Sequence, residues 1–417
     1  MKADVAVIGA GALGLSTALH LGLQGRSVVV IERWHAGSQA SGRAAGLFKS
    51  VQADEFRTEV ARNSIRKVIS FEEWTGIPLD VCHSGSVMIA RTNKHKAILK
   101  AELDRSRSWG VDLREPPPLE LAGLLSYYDP SGEEAAIWCA EDVYIEEPAT
   151  LVEAYVRACQ RHGVDILEGE PVVTMAAPGG HVVALETAKR KIETNVVVDA
   201  GGAWASAVAA LAGTSLPVAP VRHQLLITEP LADVRSSDPI TRVIDAAIYL
   251  RPARGGLMLG AFEGAPLPLD PRLLPSSFHT DDVPLDLDVL RRAGELIERE
   301  APRACQGAVA ELRGGLFTMT PDGRFLLGPV PGVSGLWVAS GCNGSGFSSS
   351  PALGEMLASW ITRGEAPGGA EQFSPARLGP TADEALIEKG VWQYAHYYDT
   401  APSAILGSAA AGPHRRT

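Results

Sequence analysis

Val5 to Ile8 is a short apolar run, uniform enough to be buried on both faces like an inner strand of a parallel sheet. Leu15, Ala18, Leu19 and Leu21 then recur at helical spacing, Gly25 interrupts them, and Ser27 to Ile31 forms a second apolar run ending on Glu32. This order predicts a strand–helix–strand unit in the first 32 residues. Residues 149–162 repeat the helical period, with Gly163 stopping the helix before a strand at Val164 to Leu167. Val196 to Val198 reads as another buried strand, and it ends at Gly201 and Gly202. Tyr249 to Arg251 and Leu257 to Gly260 flank Gly255-Gly256 and read as a hairpin. Residues 335–362 predict a strand, a glycine loop and a helix carrying Leu353, Met356, Leu357 and Trp360.

A chain of 417 residues is too long for one ordinary core, so two domains are expected. The net charge of −11 argues against nucleic acid as a partner. Five cysteines without CxxC spacing fit neither a disulfide framework nor a zinc site, and point to a reducing compartment. No signal-peptide core precedes the first strand, and no run of apolar residues is long enough to span a bilayer. The expected location is the cytoplasm.

The turn between the first strand and helix carries Gly9, Gly11 and Gly14, a GxGxxG pattern. Each glycine has a reason. Gly9 permits the tight turn, Gly11 lets the backbone approach a pyrophosphate, and Gly14 lets helix and strand pack closely. The phosphates would face the positive end of the helix. Glu32 can accept hydrogen bonds from an adenosine ribose, and its charge would repel a 2′-phosphate. The fingerprint alone does not separate NAD from FAD.

Later segments separate them. AGSQASGRAAGLFKS (residues 36–50) is a small-residue loop suited to passing beneath a flat ring. DAGGAW (199–204), TPDGRFLLGPVPG (320–332) and ASGCNGSGF (339–347) follow in order. Together these segments resemble the glycine, sarcosine and dimethylglycine flavin oxidoreductases of the D-amino-acid oxidase superfamily, over about residues 1–395. Residues 373–399 also resemble the linker that follows the flavin domain in dimethylglycine and sarcosine dehydrogenases.

The resemblance implies an α/β fold in which a Rossmann-like FAD-binding domain (1–80, 145–215 and 310–372) interleaves with an α+β substrate domain (81–144 and 216–309). The substrate domain is expected to hold a large, mainly antiparallel sheet. Residues 373–417 form a C-terminal extension with an expected disordered end. The implied FAD contacts are Gly9, Gly11, Leu13, Gly14, Glu32, Arg33, Ser41, Arg43, Ala45, Gly46, Val172, Ala200, Gly201, Trp204, Asn343, Gly344, Ser345, Gly346 and Phe347.

Departures from the pattern bear on chemistry. Relatives that hold FAD covalently use a cysteine where this chain has Gly315, or a histidine where it has Arg43, so noncovalent FAD is expected. The cations that clamp a small amino acid's carboxylate are replaced by Phe317 and Ser348, which argues against glycine or sarcosine. Lys49, Arg43 or Arg251 could substitute. The lysine that promotes reaction with O₂ in sarcosine oxidases is matched by Met258, which tilts the expectation from oxidase toward dehydrogenase.

The expected catalytic residues are His223, Tyr249 and Arg251. A lone histidine on an apolar strand ordinarily reads as core; the resemblance of PVAPVRHQLLITE (217–229) moves His223 to the substrate pocket. The implied reaction is oxidation of a C–N bond in a secondary or tertiary amine or amino acid, by hydride transfer to the flavin. The imine formed would then hydrolyse. Two alternatives stay open: a 2-hydroxy-acid dehydrogenase, or a flavin-binding subunit without turnover of its own. The partners implied are a small amine, an electron acceptor (O₂, a quinone or an electron-transfer protein), and other subunits of a homo- or hetero-oligomer. No metal is expected.

Overall fold

The computed structural model describes residues 1–379 and 382–399. Its first layer is a six-stranded sheet in the order Leu326–Pro329, Leu336–Ser340, Val197–Asp199, Val5–Ile8, Val28–Ile31 and Asp165–Leu167. Every pairing is parallel except the edge pair Leu326–Pro329 with Leu336–Ser340. Val5–Ile8 and Val28–Ile31 are buried at every position, as a sheet covered on both faces requires.

Helices Ala12–Leu23 and Gly346–Arg363 cross on one face of this sheet. Gly354 makes that crossing possible, because a Cβ there would stand 2.2 Å from Ser16 Oγ and 2.7 Å from its carbonyl carbon. The predicted helix at 149–162 is Pro148–Arg161, with proline at its first turn, where a missing N–H costs nothing.

The second layer is an eight-stranded sheet in the order Val309–Met319, Ala219–Thr228, Gly256–Ala261, Ile248–Ala253, Ile240–Val243, Ser86–Ala90, Ala135–Cys139 and Leu113–Arg114. Only Ile240–Val243 with Ser86–Ala90 is parallel. The fold is therefore mixed α/β, and the predicted hairpin is the pairing of Ile248–Ala253 with Gly256–Ala261.

Two expected boundaries change. Val309–Met319 hydrogen-bonds along Ala219–Thr228, so the third segment of the nucleotide-binding layer begins after Met319 and not at 310. Residues 373–399 are no simple linker. Helix Asp383–Ala395 lies on the second sheet, burying Leu386 and Tyr394 against Ala219, Val221 and Phe262. Gly390 permits the contact, since a Cβ there would come within 2.6 Å of Ala219 Cβ. The expected disorder of the chain's end falls outside the described residues.

Candidate active site

The two sheets meet over one cavity of about 440 Å³. Its first end lies at the carboxyl ends of the central parallel strands, where nucleotides bind in open α/β sheets. Gly9 there has φ +106°, and a Cβ on it would overlap the Ala200 carbonyl oxygen at 2.5 Å. A Cβ on Gly14 would sit 2.0 Å from the Gly9 carbonyl oxygen. Gly14 is therefore a packing residue and does not line the cavity. Gly11, by contrast, faces the cavity, and a Cβ on it would meet only Ser41 Oγ at 3.2 Å.

Ser41 Oγ accepts a hydrogen bond from the Ala12 N–H at 3.0 Å and so ties the small-residue loop to the helix start. Glu32 is fixed by its own backbone surroundings: Oε2 accepts from the Ala10 N–H at 2.8 Å and Oε1 from the Trp34 N–H at 2.9 Å. Burial raises its pKa, and those two hydrogen bonds work against the rise. Arg33, Val172, Ala200, Gly201 and Trp204 complete this end, with the Arg33 guanidinium 5.0 Å from the Trp34 ring centre.

Along the middle run Leu13, Arg43, Ala45, Gly46 and Gly315, then Gly344, Ser345, Gly346 and Phe347 at the start of helix Gly346–Arg363. No side chain caps that helix, so its positive end opens onto the cavity. Arg43 is paired with Asp281. A long, glycine-floored groove with two helix N-termini and a fixed carboxylate at its end fits FAD.

Asn343 is a correction. It stands outside this groove, with φ +47° and its Oδ1 accepting from the Thr320 N–H at 2.9 Å while its amide donates to the Gly341 carbonyl at 2.6 Å. Its side chain is consumed in shaping the glycine loop.

At the far end, His223 stands between two tyrosines. Its Nε2 is 2.9 Å from the Tyr249 hydroxyl and its Nδ1 is 2.7 Å from the Tyr394 hydroxyl. Phe317 stacks on its ring at 4.2 Å. Burial lowers the His223 pKa to about 3 and raises that of Tyr249, so both groups are neutral near pH 7. Phe262, Phe317, Phe347 and Tyr398 supply an aromatic wall, and Phe262 stacks on Tyr397 at 4.0 Å.

The cations sort differently from expectation. Arg251 is fully buried and outside the cavity; its guanidinium donates to the backbone carbonyls of Ala45 at 2.8 Å, Glu146 at 2.8 Å and Pro252 at 2.6 Å. With its donors directed to those carbonyls, Arg251 serves as a structural clamp and not as a catalytic or carboxylate-binding group. Lys49 does line the cavity, 5.5 Å from the Tyr397 ring centre. Burial lowers its pKa and Tyr397 counters the shift. Met258 is buried in the sheet beneath, packed with apolar neighbours.

Tyr394, Tyr397 and Tyr398 are site residues that the sequence reading missed. Tyr394 lies in the last turn of helix Asp383–Ala395 and Tyr397 and Tyr398 in the turns that follow it, in a segment that resembled a linker.

This fold and groove define a flavoprotein oxidoreductase with a dinucleotide-binding layer. Residues 4–360 match the FAD dependent oxidoreductase family model, and the chain belongs to that family, with FAD as its cofactor. Dimethylglycine dehydrogenase of Rattus norvegicus is 26% identical over 391 residues, covering 91% of this chain and 45% of that protein. Glycine oxidase of Pseudomonas aeruginosa PAO1 is 26% identical over 368 residues, covering 86% of this chain and 94% of that protein. The structure of L-proline dehydrogenase from P. horikoshii superposes with a TM-score of 0.81 at 25% identity, covering 90% and 97% of the two chains. The chain spans under half the length of the first curated relatives it matches, 40–45%. Among the described residues no helix is long and apolar enough to cross a membrane.

Proposed function

We propose that this chain oxidises a C–N bond of a secondary or tertiary amine, or of an N-substituted amino acid, and passes the electrons to an acceptor other than O₂. The observation that carries the reading is the neutral His223, held between Tyr249 and Tyr394 at the closed end of an aromatic chamber continuous with the nucleotide groove. The names of the relatives above also share an amino-acid substrate.

When bound, FAD supplies the hydride-accepting chemistry. The protein must then present the amine in its neutral form, because a protonated nitrogen has no lone pair to assist loss of hydride from carbon. Phe262, Phe317, Phe347 and Tyr398 disfavour an ammonium by excluding water. Tyr249 lines the cavity while bonded to His223, so its hydroxyl is held where it can orient the neutral substrate nitrogen. The positive end of helix Gly346–Arg363 favours negative charge developing in the groove. Lys49 and Arg313 line the cavity as cations that a substrate carboxylate could meet there. Met258, apolar and buried, gives no positive charge to stabilise superoxide, which favours a dehydrogenase.

The test is an anaerobic titration of the yellow protein with a panel of amines, N-alkyl amino acids and 2-hydroxy acids, following flavin absorbance. Bleaching by amines supports the proposal. Bleaching by hydroxy acids alone would overturn it in favour of the alcohol-oxidising alternative.

A further inference from the structure

Behind the aromatic wall lies a second cavity of about 160 Å³. It shares Cys342, Ser345 and Tyr398 with the first, so the two cavities adjoin at these side chains. We propose that this second cavity receives the carboxylate of the substrate, with Arg242 as its anchor, so that the amine oxidised carries an acidic group at the far end of a flexible linear chain. The inference rests on the amine-oxidising reading above.

Arg242 is 3% exposed, yet its guanidinium is poorly matched. Among the described residues its Nε has no partner, and Nη2 reaches only Ser86 Oγ at 3.3 Å and Asp142 Oδ2 at 4.0 Å. Asp142 is already occupied, accepting from the Ser50 N–H and hydroxyl at 2.7 Å each and from the Ser86 hydroxyl at 2.6 Å. A buried guanidinium ordinarily has its donors satisfied, so one lining a cavity with an idle N–H implies an acceptor supplied from outside. Arg105 lines the same cavity with its Nε also unpartnered. Among the described residues, neither Arg105 nor Lys49 has a carboxylate at ion-pair distance. The carboxyl on this cavity is Glu102, whose pKa burial raises while Arg242, Arg105 and Lys49 oppose the rise.

The register connects this site to the amine end. Arg242 pairs directly with Tyr249 across neighbouring strands, and directly opposed residues project from the same face. The two cavities therefore lie side by side on one sheet surface, one strand spacing of about 4.8 Å between the Tyr249 and Arg242 columns. His223 stands two strands beyond Tyr249 in the same sheet. A spacer of about three to five carbons between nitrogen and carboxylate spans one to two such spacings. Lys49, lining the first cavity and interacting electrostatically with Arg242, would meet the chain at the crossing.

The experiment uses ω-(methylamino)alkanoates with one, three, four and five methylenes, and N-methylbutylamine as the uncharged control, on the yellow protein under anaerobic conditions. The expected optimum is three to five methylenes. Arg242→Met should weaken binding of those acids by about tenfold to a hundredfold, the loss of a charge-assisted hydrogen bond, and leave N-methylbutylamine unchanged. Arg242→Lys should recover part of the loss. Arg105→Ala, on the partly exposed helix Asn93–Ser108, should weaken the acids in the same direction and guards against a folding defect in the Arg242 variants. Melting temperature with and without hexanoate gives a second readout, expected to rise in the unaltered protein and not in Arg242→Met. If N-methylbutylamine matches the acids, or Arg242→Met binds them unchanged, the second cavity is not an anion site although amine oxidation stands. If no amine bleaches the flavin while hexanoate still stabilises through Arg242, the reaction is misread and the anion site stands.

Discussion

His223 Nε2 and the Tyr249 hydroxyl lie 2.9 Å apart on two strands separated by a third, and Tyr394 closes the same imidazole from the opposite side. Gly260, on the intervening strand, makes the contact possible. A Cβ there would overlap the Tyr249 ring at 2.1 Å, so the tyrosine can lie flat across the strand toward the histidine. The result is an imidazole with both nitrogens engaged by neutral hydroxyls.

With the His223 pKa lowered to about 3, this imidazole carries no charge change near its ordinary value of about 6.5. The rate of flavin reduction against pH should therefore show no inflection there, and should follow deprotonation of the substrate amine. His223→Ala removes the partner that holds the Tyr249 hydroxyl and should slow reduction by up to about 10² while FAD stays bound. Unchanged anaerobic reduction in that variant would return His223 to the core.

Gly11 and Glu32 should respond differently to substitution. A Cβ on Gly11 would press on Ser41 Oγ at 3.2 Å, and the γ carbons of Gly11→Val would enter the groove in the pyrophosphate path, so FAD should be lost. Glu32→Ala removes a ribose acceptor at the groove's end and should weaken FAD by about 1.5–3 kcal/mol. Equal losses, measured by flavin fluorescence on titration of the apoprotein, would contradict these roles.

The nucleotide end was legible because its constraints are local. Gly9, Gly11, Gly14 and Glu32 lie within one strand–helix–strand unit, and each spacing has a steric or electrostatic reason. The substrate end was only partly legible. His223 and Tyr249 stood out through the resemblance, but Tyr394 lies 171 residues from His223, and the packing of helix Asp383–Ala395 on the second sheet, close at Gly390 and Ala219, brings them together. Arg251 misled because a cation in sequence carries no sign of its partners. Three backbone carbonyls from separate segments bind it, a fact of tertiary structure alone. Asn343 misled for the same reason, its amide being spent on the loop that it shapes.

FAD should be held without a covalent bond. Gly315 lines the groove with only Ala40 near where its Cβ would stand, at 3.5 Å, and Arg43 is engaged with Asp281, so neither position offers a nucleophile. Acid precipitation should release yellow flavin into the supernatant. Colour retained in the washed pellet would show attachment through another residue.

Met258→Lys places an amine in the sheet beneath the groove, where positive charge would stabilise superoxide, and should speed reoxidation by O₂. The unaltered protein should turn over faster with an artificial dye than in air-saturated buffer. The same change should lower the melting temperature, because Met258 is fully buried in an apolar cluster and a lysine there is stripped of water. Rapid peroxide production by the unaltered protein would remove the basis for a dehydrogenase.

Asp199 makes the fold itself sensitive to pH. It ends the strand Val197–Asp199, fully buried, with Oδ1 accepting from the Gly201 N–H at 3.0 Å and Oδ2 without a partner among the described residues. Burial raises its pKa well above the ordinary carboxyl range, and the single hydrogen bond from Gly201 only partly opposes the shift. The unfolded chain ionises this carboxyl near pH 3.9 while the folded chain still holds the proton. The stabilising contribution is therefore complete below that pH and declines as pH rises toward the folded value. Asp199→Asn keeps the acceptor for Gly201 but cannot ionise, so the decline should vanish. The unaltered protein should lose melting temperature relative to Asp199→Asn as pH rises above about 4, in scans at matched ionic strength and saturating FAD. Parallel curves for the two proteins would mean that Asp199 is ionised in the folded state, with a cation or water satisfying Oδ2.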